Sequence, residues 1–272
     1  MRQPDARIAW ILGACLVLAG CSRLTFVKPS TERGAYDRVA PEYTIAHDPR
    51  EAERNQAFKQ ALLAEDALRR GRLQDADRAA RAALELDPTS AEAHTLLAVV
   101  AEQQGHGDRA GEHYAKAVEL APRRGTTLNN YAAWLCRHGR EADSLPLFER
   151  ALADPGYGTP ATALANGGTC AMRAGQPAMA ERALRRALEY DRGNVVALDA
   201  LAELSFQGGD YLQARAFSQR RLAAAPATAQ VLLLASQIEQ KLGDSAAAAR
   251  YVQRIRAEFP NQPTPRGDAS LQ

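Results

Sequence analysis

Six glycines recur along the middle of the chain, at Gly71, Gly105, Gly139, Gly175, Gly209 and Gly243, separated by 34, 34, 36, 34 and 34 residues. Five residues after each comes a small side chain: Ala76, Ala110, Ser144, Ala180, Ala214 and Ala248. Pro88, Pro122, Pro226 and Pro260 close four of the periods. In the third period Pro155 comes one residue early, and in the fourth Arg192 takes that place. Glycine ends a helix where the backbone must turn left-handed, and proline ends one because it cannot donate the next hydrogen bond. Each period therefore reads as helix, turn, helix. A unit that short cannot bury its apolar face alone, so the units must stack on one another.

This period and punctuation resemble the tetratricopeptide repeat. The resemblance implies an all-α fold, a right-handed solenoid of six helix–turn–helix repeats, here spanning residues 51–260. Small residues at Ala64, Ala98, Ala132, Gly168, Ala202 and Ser236 let the two helices of a unit approach closely, while Leu63, Leu97, Tyr131 and Leu201 are expected to fill the space between units. The two extra residues of the long period lie in DPGYGTP, residues 154–160. A loop there loosens the superhelix, makes a contact of its own, or is a surface insertion.

The N-terminus carries a different message. Residues 8–18 are apolar and follow Arg2 and Arg7, as in a secretory signal peptide. The run is shorter than the roughly 20 residues that span a bilayer. It ends in Leu18-Ala19-Gly20-Cys21, which resembles the bacterial lipobox. That resemblance implies removal of residues 1–20 and lipidation of Cys21 with diacylglycerol and an N-acyl chain. At about 0.8 kcal/mol per buried methylene, three chains would anchor the protein where one would not. Ser22 stands where an inner-membrane retention signal has Asp, so the expected location is the periplasmic face of the outer membrane. Residues 21–50, with Pro29, Pro41 and Pro49 and no sustained apolar period, read as a flexible tether with an r.m.s. span of roughly 30 Å. Residues 261–272 read as a disordered tail.

Loss of Arg2, Arg7 and Asp5 with the signal takes the formal charge from +2 to +1. So balanced a chain lacks the basic stripe of a nucleic-acid binder. The five histidines form no ligand spacing, and no nucleophile elbow or phosphate loop is present. The sequence predicts a protein-binding scaffold with no enzymatic activity, no cofactor and no small-molecule substrate. His94 occupies a slot that often holds an aromatic packing residue in this repeat.

The third unit reads NNYAAWLCRHG, residues 129–139, and the fourth NGGTCAMRAG, residues 166–175. Both stretches resemble the PilF/PilW family of type IV pilus lipoproteins, whose members pair a lipobox with six tetratricopeptide repeats. Asn130, Tyr131, Leu135, Cys136 and Gly139 match one family motif, with Ala132 for Gly and Trp134 for Phe. Asn166, Gly168 and Cys170 match the other, where Gly175 comes one residue late. The resemblance implies a pilotin: an outer-membrane lipoprotein that binds secretin subunits of the type IV pilus and promotes their localisation and multimerisation. The alternative is a scaffold of another envelope machine, for outer-membrane protein assembly or peptidoglycan synthase activation.

Cys136 and Cys170 end adjacent first helices. An oxidising periplasm permits a disulfide between them if their alpha carbons lie within about 7 Å. Zinc is a poor rival without partner ligands. Asn130 and Asn166 are equivalent positions whose amides either satisfy buried polar groups, tie a neighbouring unit's backbone, or hold an extended peptide. The repeat register places Ala61, Glu65, Leu68, Thr95, Val99, Glu102, Asn129, Ala133, Ala165, Thr169, Asp199, Glu203, Phe206 and Leu233 on the concave face. Together with Asn130 and Asn166 these form the expected partner-binding groove. It contains no lysine, against a clamp for terminal carboxylates, and suits an amphipathic or extended peptide.

Overall fold

The computed structural model describes residues 49–261. The signal peptide, Cys21, the tether up to residue 48 and the tail from residue 262 lie outside the described residues. Twelve α-helices and no strands make up the described part: α1 Pro49–Arg69, α2 Leu73–Leu86, α3 Ala91–Gln103, α4 Gly107–Leu120, α5 Gly125–Arg137, α6 Glu141–Leu152, α7 Pro160–Arg173, α8 Pro177–Tyr190, α9 Val195–Gln207, α10 Tyr211–Ala224, α11 Ala229–Lys241 and α12 Ser245–Glu258. The solenoid starts two residues earlier than the sequence implies. Pro49 opens α1 instead of belonging to a tether, because a first-turn proline loses no intrahelical hydrogen bond. None of these helices is long and apolar enough to cross a membrane.

The turn inside each unit is built the same way six times. All six period-setting glycines have φ between 69° and 81°. The residue after each donates its N–H to a carbonyl five residues back, as Arg72 does to Ala67 (2.9 Å) and Arg140 to Leu135 (2.9 Å). This is the closure that satisfies the last carbonyls of the first helix. Start signals are clearest at Ser90, Asn194, Asp210, Thr228 and Asp244, whose side chains accept the N–H three residues on.

Each second helix packs between its own first helix and the first helix of the next unit, and first helices of consecutive units also touch. Second helices keep their backbones farther apart, and where two of them meet they do so through long side chains, as when Arg185 Nη2 of α8 donates to Gln213 Oε1 of α10 at 2.8 Å. The first helices therefore lie closer together and line the inner face. Ala64, Ala98, Ala132, Gly168, Ala202 and Ser236 are all buried at the contact within a unit. Gly168 allows a close approach: a Cβ there would lie 2.6 Å from Leu184 Cγ and 3.2 Å from the Ala180 carbonyl.

Of the four bulky residues expected between units, Leu97 and Leu201 are buried and Tyr131 is half-buried. Leu63 is a correction. It is 58% exposed, because among the described residues no unit precedes the first to cover it.

The long loop between units three and four is a staple. Arg124, the residue before α5, supplies no side-chain cap. The cap comes from Asp154, whose Oδ2 accepts the N–H of Gly125, 29 residues earlier, at 2.7 Å while Oδ1 accepts the Gly156 N–H at 2.9 Å. These two N–H groups hold its carboxyl below the usual carboxylate range. Tyr157 is buried over Gly125, where an added Cβ would meet Tyr157 Cβ at 2.7 Å and the Ala151 carbonyl at 2.8 Å. Of the three readings of the insertion, these contacts fit the one in which it makes a contact of its own.

Candidate functional site

The inner face divides into three stretches. At its N-terminal end α1 carries exposed Glu65 and half-buried Leu68, and on the side where a preceding unit would pack it exposes Phe58 (53%), Leu62 (44%) and Leu63. Phe58 and Leu62 are one turn apart and form a continuous apolar strip.

In the centre, α3, α5 and α7 present Thr95, Val99, Asn130, Ala133, Asn166 and Thr169, all half-buried. The Thr95 and Thr169 hydroxyls donate to carbonyls of their own helices, at Ala91 (2.8 Å) and Ala165 (2.9 Å). Glu102 is spent on structure: it accepts from Tyr114 Oη (3.2 Å) and from both Nε and Nη2 of Arg137 (2.9 and 2.5 Å), joining three helices. Burial, then the Glu102 charge, pushes the Tyr114 hydroxyl well above its ordinary range.

At the C-terminal end, Asp199, Glu203 and Phe206 of α9 and Leu233 of α11 line one open groove of about 680 Å³. Asp199 is held there by buried Arg221, whose Nε donates to Oδ2 at 2.8 Å.

Three expected groove residues are corrections. Ala61, Asn129 and Ala165 are buried, because first helices of neighbouring units meet at these positions. They offer a partner no accessible side chain. Cys136 and Cys170 form a disulfide between α5 and α7, with alpha carbons 5.8 Å apart. The Cys170 sulfur also lies 2.9 Å from the buried Ser144 hydroxyl of α6.

A tetratricopeptide-repeat family model matches residues 61–124. The type IV pilus assembly protein PilF of Pseudomonas aeruginosa is 28% identical over 193 residues, 71% of this chain and 77% of that protein. A crystal structure of PilW, a widely conserved type IV pilus biogenesis factor, aligns with TM-score 0.71 and 30% identity, covering 76% of this chain and 94% of PilW. This chain belongs to the PilF/PilW family. The solved P. aeruginosa PilF also aligns, with TM-score 0.70 and 26% identity over 79% of this chain and 96% of that one. Membership gives the chain a role in type IV pilus biogenesis and makes the solenoid a protein-interaction scaffold.

In this PilF/PilW member, sequence reasoning missed Phe58 and Leu62. Their spacing reads as a core stripe, and they are accessible because, among the described residues, no earlier unit covers α1. It also missed the partner of His94. Nδ1 of His94 lies 3.1 Å from Nδ1 of His113, so one ring donates its N–H to the other and ties α3 to α4. Burial lowers both pKa values. The neighbouring ring and Lys116 add to this at His94, as do Arg109 and Arg81 at His113.

A histidine with a lowered folded pKa binds its proton more readily when unfolded. Stability is therefore full above the unfolded value of about 6.5 and falls as pH drops below it. The melting temperature is expected to fall between pH 7.5 and 5, with a shallower fall in a His94→Gln/His113→Gln variant. Equal slopes in the two proteins would contradict the pairing.

Proposed function

We propose that this chain is a pilotin: held by lipidated Cys21 on the periplasmic face of the outer membrane, it binds secretin subunits of the type IV pilus and promotes their assembly there. The observation that carries the reading is the 30% identity with PilW across 94% of that protein, with the lipobox at Leu18-Ala19-Gly20-Cys21 as independent support. The mechanism is mass action on a surface. The anchor confines the scaffold, the inner face holds secretin protomers, and their effective concentration rises without any covalent step.

The Phe58 and Leu62 strip is the first candidate contact, since large apolar side chains left in water gain most from a partner that covers them. Phe58→Ala is expected to weaken binding of the purified secretin subunit about tenfold, measured by calorimetry, with the melting temperature nearly unchanged. Unchanged affinity would remove this strip from the interface. Failure of the wild-type protein to bind the subunit at all would count against the secretin reading itself.

A further inference from the structure

The first helices of units three and four carry three side-chain amides in one hydrogen-bonded chain. Asn166 Nδ2 donates to Asn129 Oδ1 at 3.2 Å, and Asn129 Nδ2 donates to Asn130 Oδ1 at 3.3 Å. Asn129 is buried and engaged at both ends, so it ties α5 to α7. Asn130 and Asn166 are half-buried. A head-to-tail chain of three amides leaves one NH2 free at one end and one carbonyl oxygen free at the other, here Asn130 Nδ2 and Asn166 Oδ1. Reversing all three amides exchanges the ends and leaves the same complementary pair.

One free donor and one free acceptor match the N–H and C=O of a peptide main chain. A helix has already spent those groups on itself; an extended segment has not. Main-chain contacts also need close approach. The neighbouring inner-face residues Val99 and Ala133 are small, and the Thr95 and Thr169 hydroxyls are bonded to their own helices and do not compete for the amides. The nearby cations are occupied: Arg137 is bound to Glu102, and Arg173 lies 3.5 Å from Glu141. A terminal carboxylate therefore has no free charge to meet.

We infer that Asn130 and Asn166 grip the main chain of an extended peptide at the centre of the inner face. This deepens the secretin-binding reading and rests on it, the peptide being an extended segment of the secretin subunit. The grip contributes affinity with little sequence preference, which the apolar strip on α1 supplies separately.

The test uses short peptides tiling the secretin of the same bacterium, and a random peptide library as a probe free of that assumption. Asn130→Asp keeps an oxygen for Asn129 and replaces the free NH2 by a charged oxygen that repels a peptide carbonyl; Asn166→Ala removes the free oxygen together with the bond to Asn129. Each is expected to weaken the peptides that wild type binds about fivefold, the worth of one neutral hydrogen bond. Methylating one peptide nitrogen should cost a similar factor with wild type and nothing further with the variant that has lost its partner. Equal binding by wild type and both variants, indifference to N-methylation, or no peptide binder from either source would overturn the grip. Library peptides that depend on the two asparagines, with no secretin peptide bound, would uphold the grip and count against secretin as the partner.

Discussion

Replacing Cys136 and Cys170 together by serine is expected to lower the unfolding free energy by about 3–4 kcal/mol. The bridge joins residues 34 apart in sequence, and closing a loop of that size removes about this much entropy from the unfolded chain in the chain-entropy model. Its position makes the effect local as well. A solenoid's stability is close to a sum of unit stabilities and neighbour contacts, and the bridge crosses the one junction whose period is 36 residues instead of 34. Urea titration of oxidised wild type against the double variant reads the change, and hydrogen exchange should show its largest loss of protection in α5 and α7. A difference below about 1 kcal/mol would mean that the staple formed by Asp154 and Tyr157 already holds this junction without the bridge.

That staple gives the second large effect. Gly125→Ala is expected to cost about 2–3 kcal/mol, the range for overpacking a filled interior. The obstruction is rigid on both sides: Tyr157 Cβ at 2.7 Å is next to its own backbone, and the Ala151 carbonyl at 2.8 Å belongs to α6. Neither moves without shifting a helix or the loop that caps α5. Gly158→Ala in the same loop is the control, since a Cβ there meets nothing within 4 Å. The urea midpoint should fall for the first variant and stay within error for the second. Equal midpoints would show that the loop gives way freely and carries no packing load.

Much of this was legible in the sequence, for reasons that particular residues make plain. Each of the six glycines is required by a local backbone turn, and local requirements are readable from one position. Ala64 and its equivalents were readable because a close helix approach demands a small side chain at a fixed place in every unit. The role of Asp154 was not readable, because the N–H it caps belongs to Gly125, 29 residues earlier. Register put Ala61, Asn129 and Ala165 on the inner side of their helices but could not tell that neighbouring first helices close over them. Leu63 failed for the opposite reason: it has the right residue type for a contact between units, and among the described residues no unit lies before it. The amide chain of Asn129, Asn130 and Asn166 lay between these cases. Its members were visible as a repeated asparagine, but its direction and its two free ends depend on how α5 and α7 pack.

We propose above that this PilF/PilW member acts at the outer membrane by assembling secretin. The most direct measurement is the amount of heat- and detergent-resistant secretin multimer in outer-membrane fractions from wild type, a deletion strain and a Cys21→Ala strain. Multimers should be lost in the deletion, and the secretin should be monomeric or its multimers mislocalised when Cys21 cannot be lipidated. Normal amounts of correctly placed multimer in both strains would contradict that proposal.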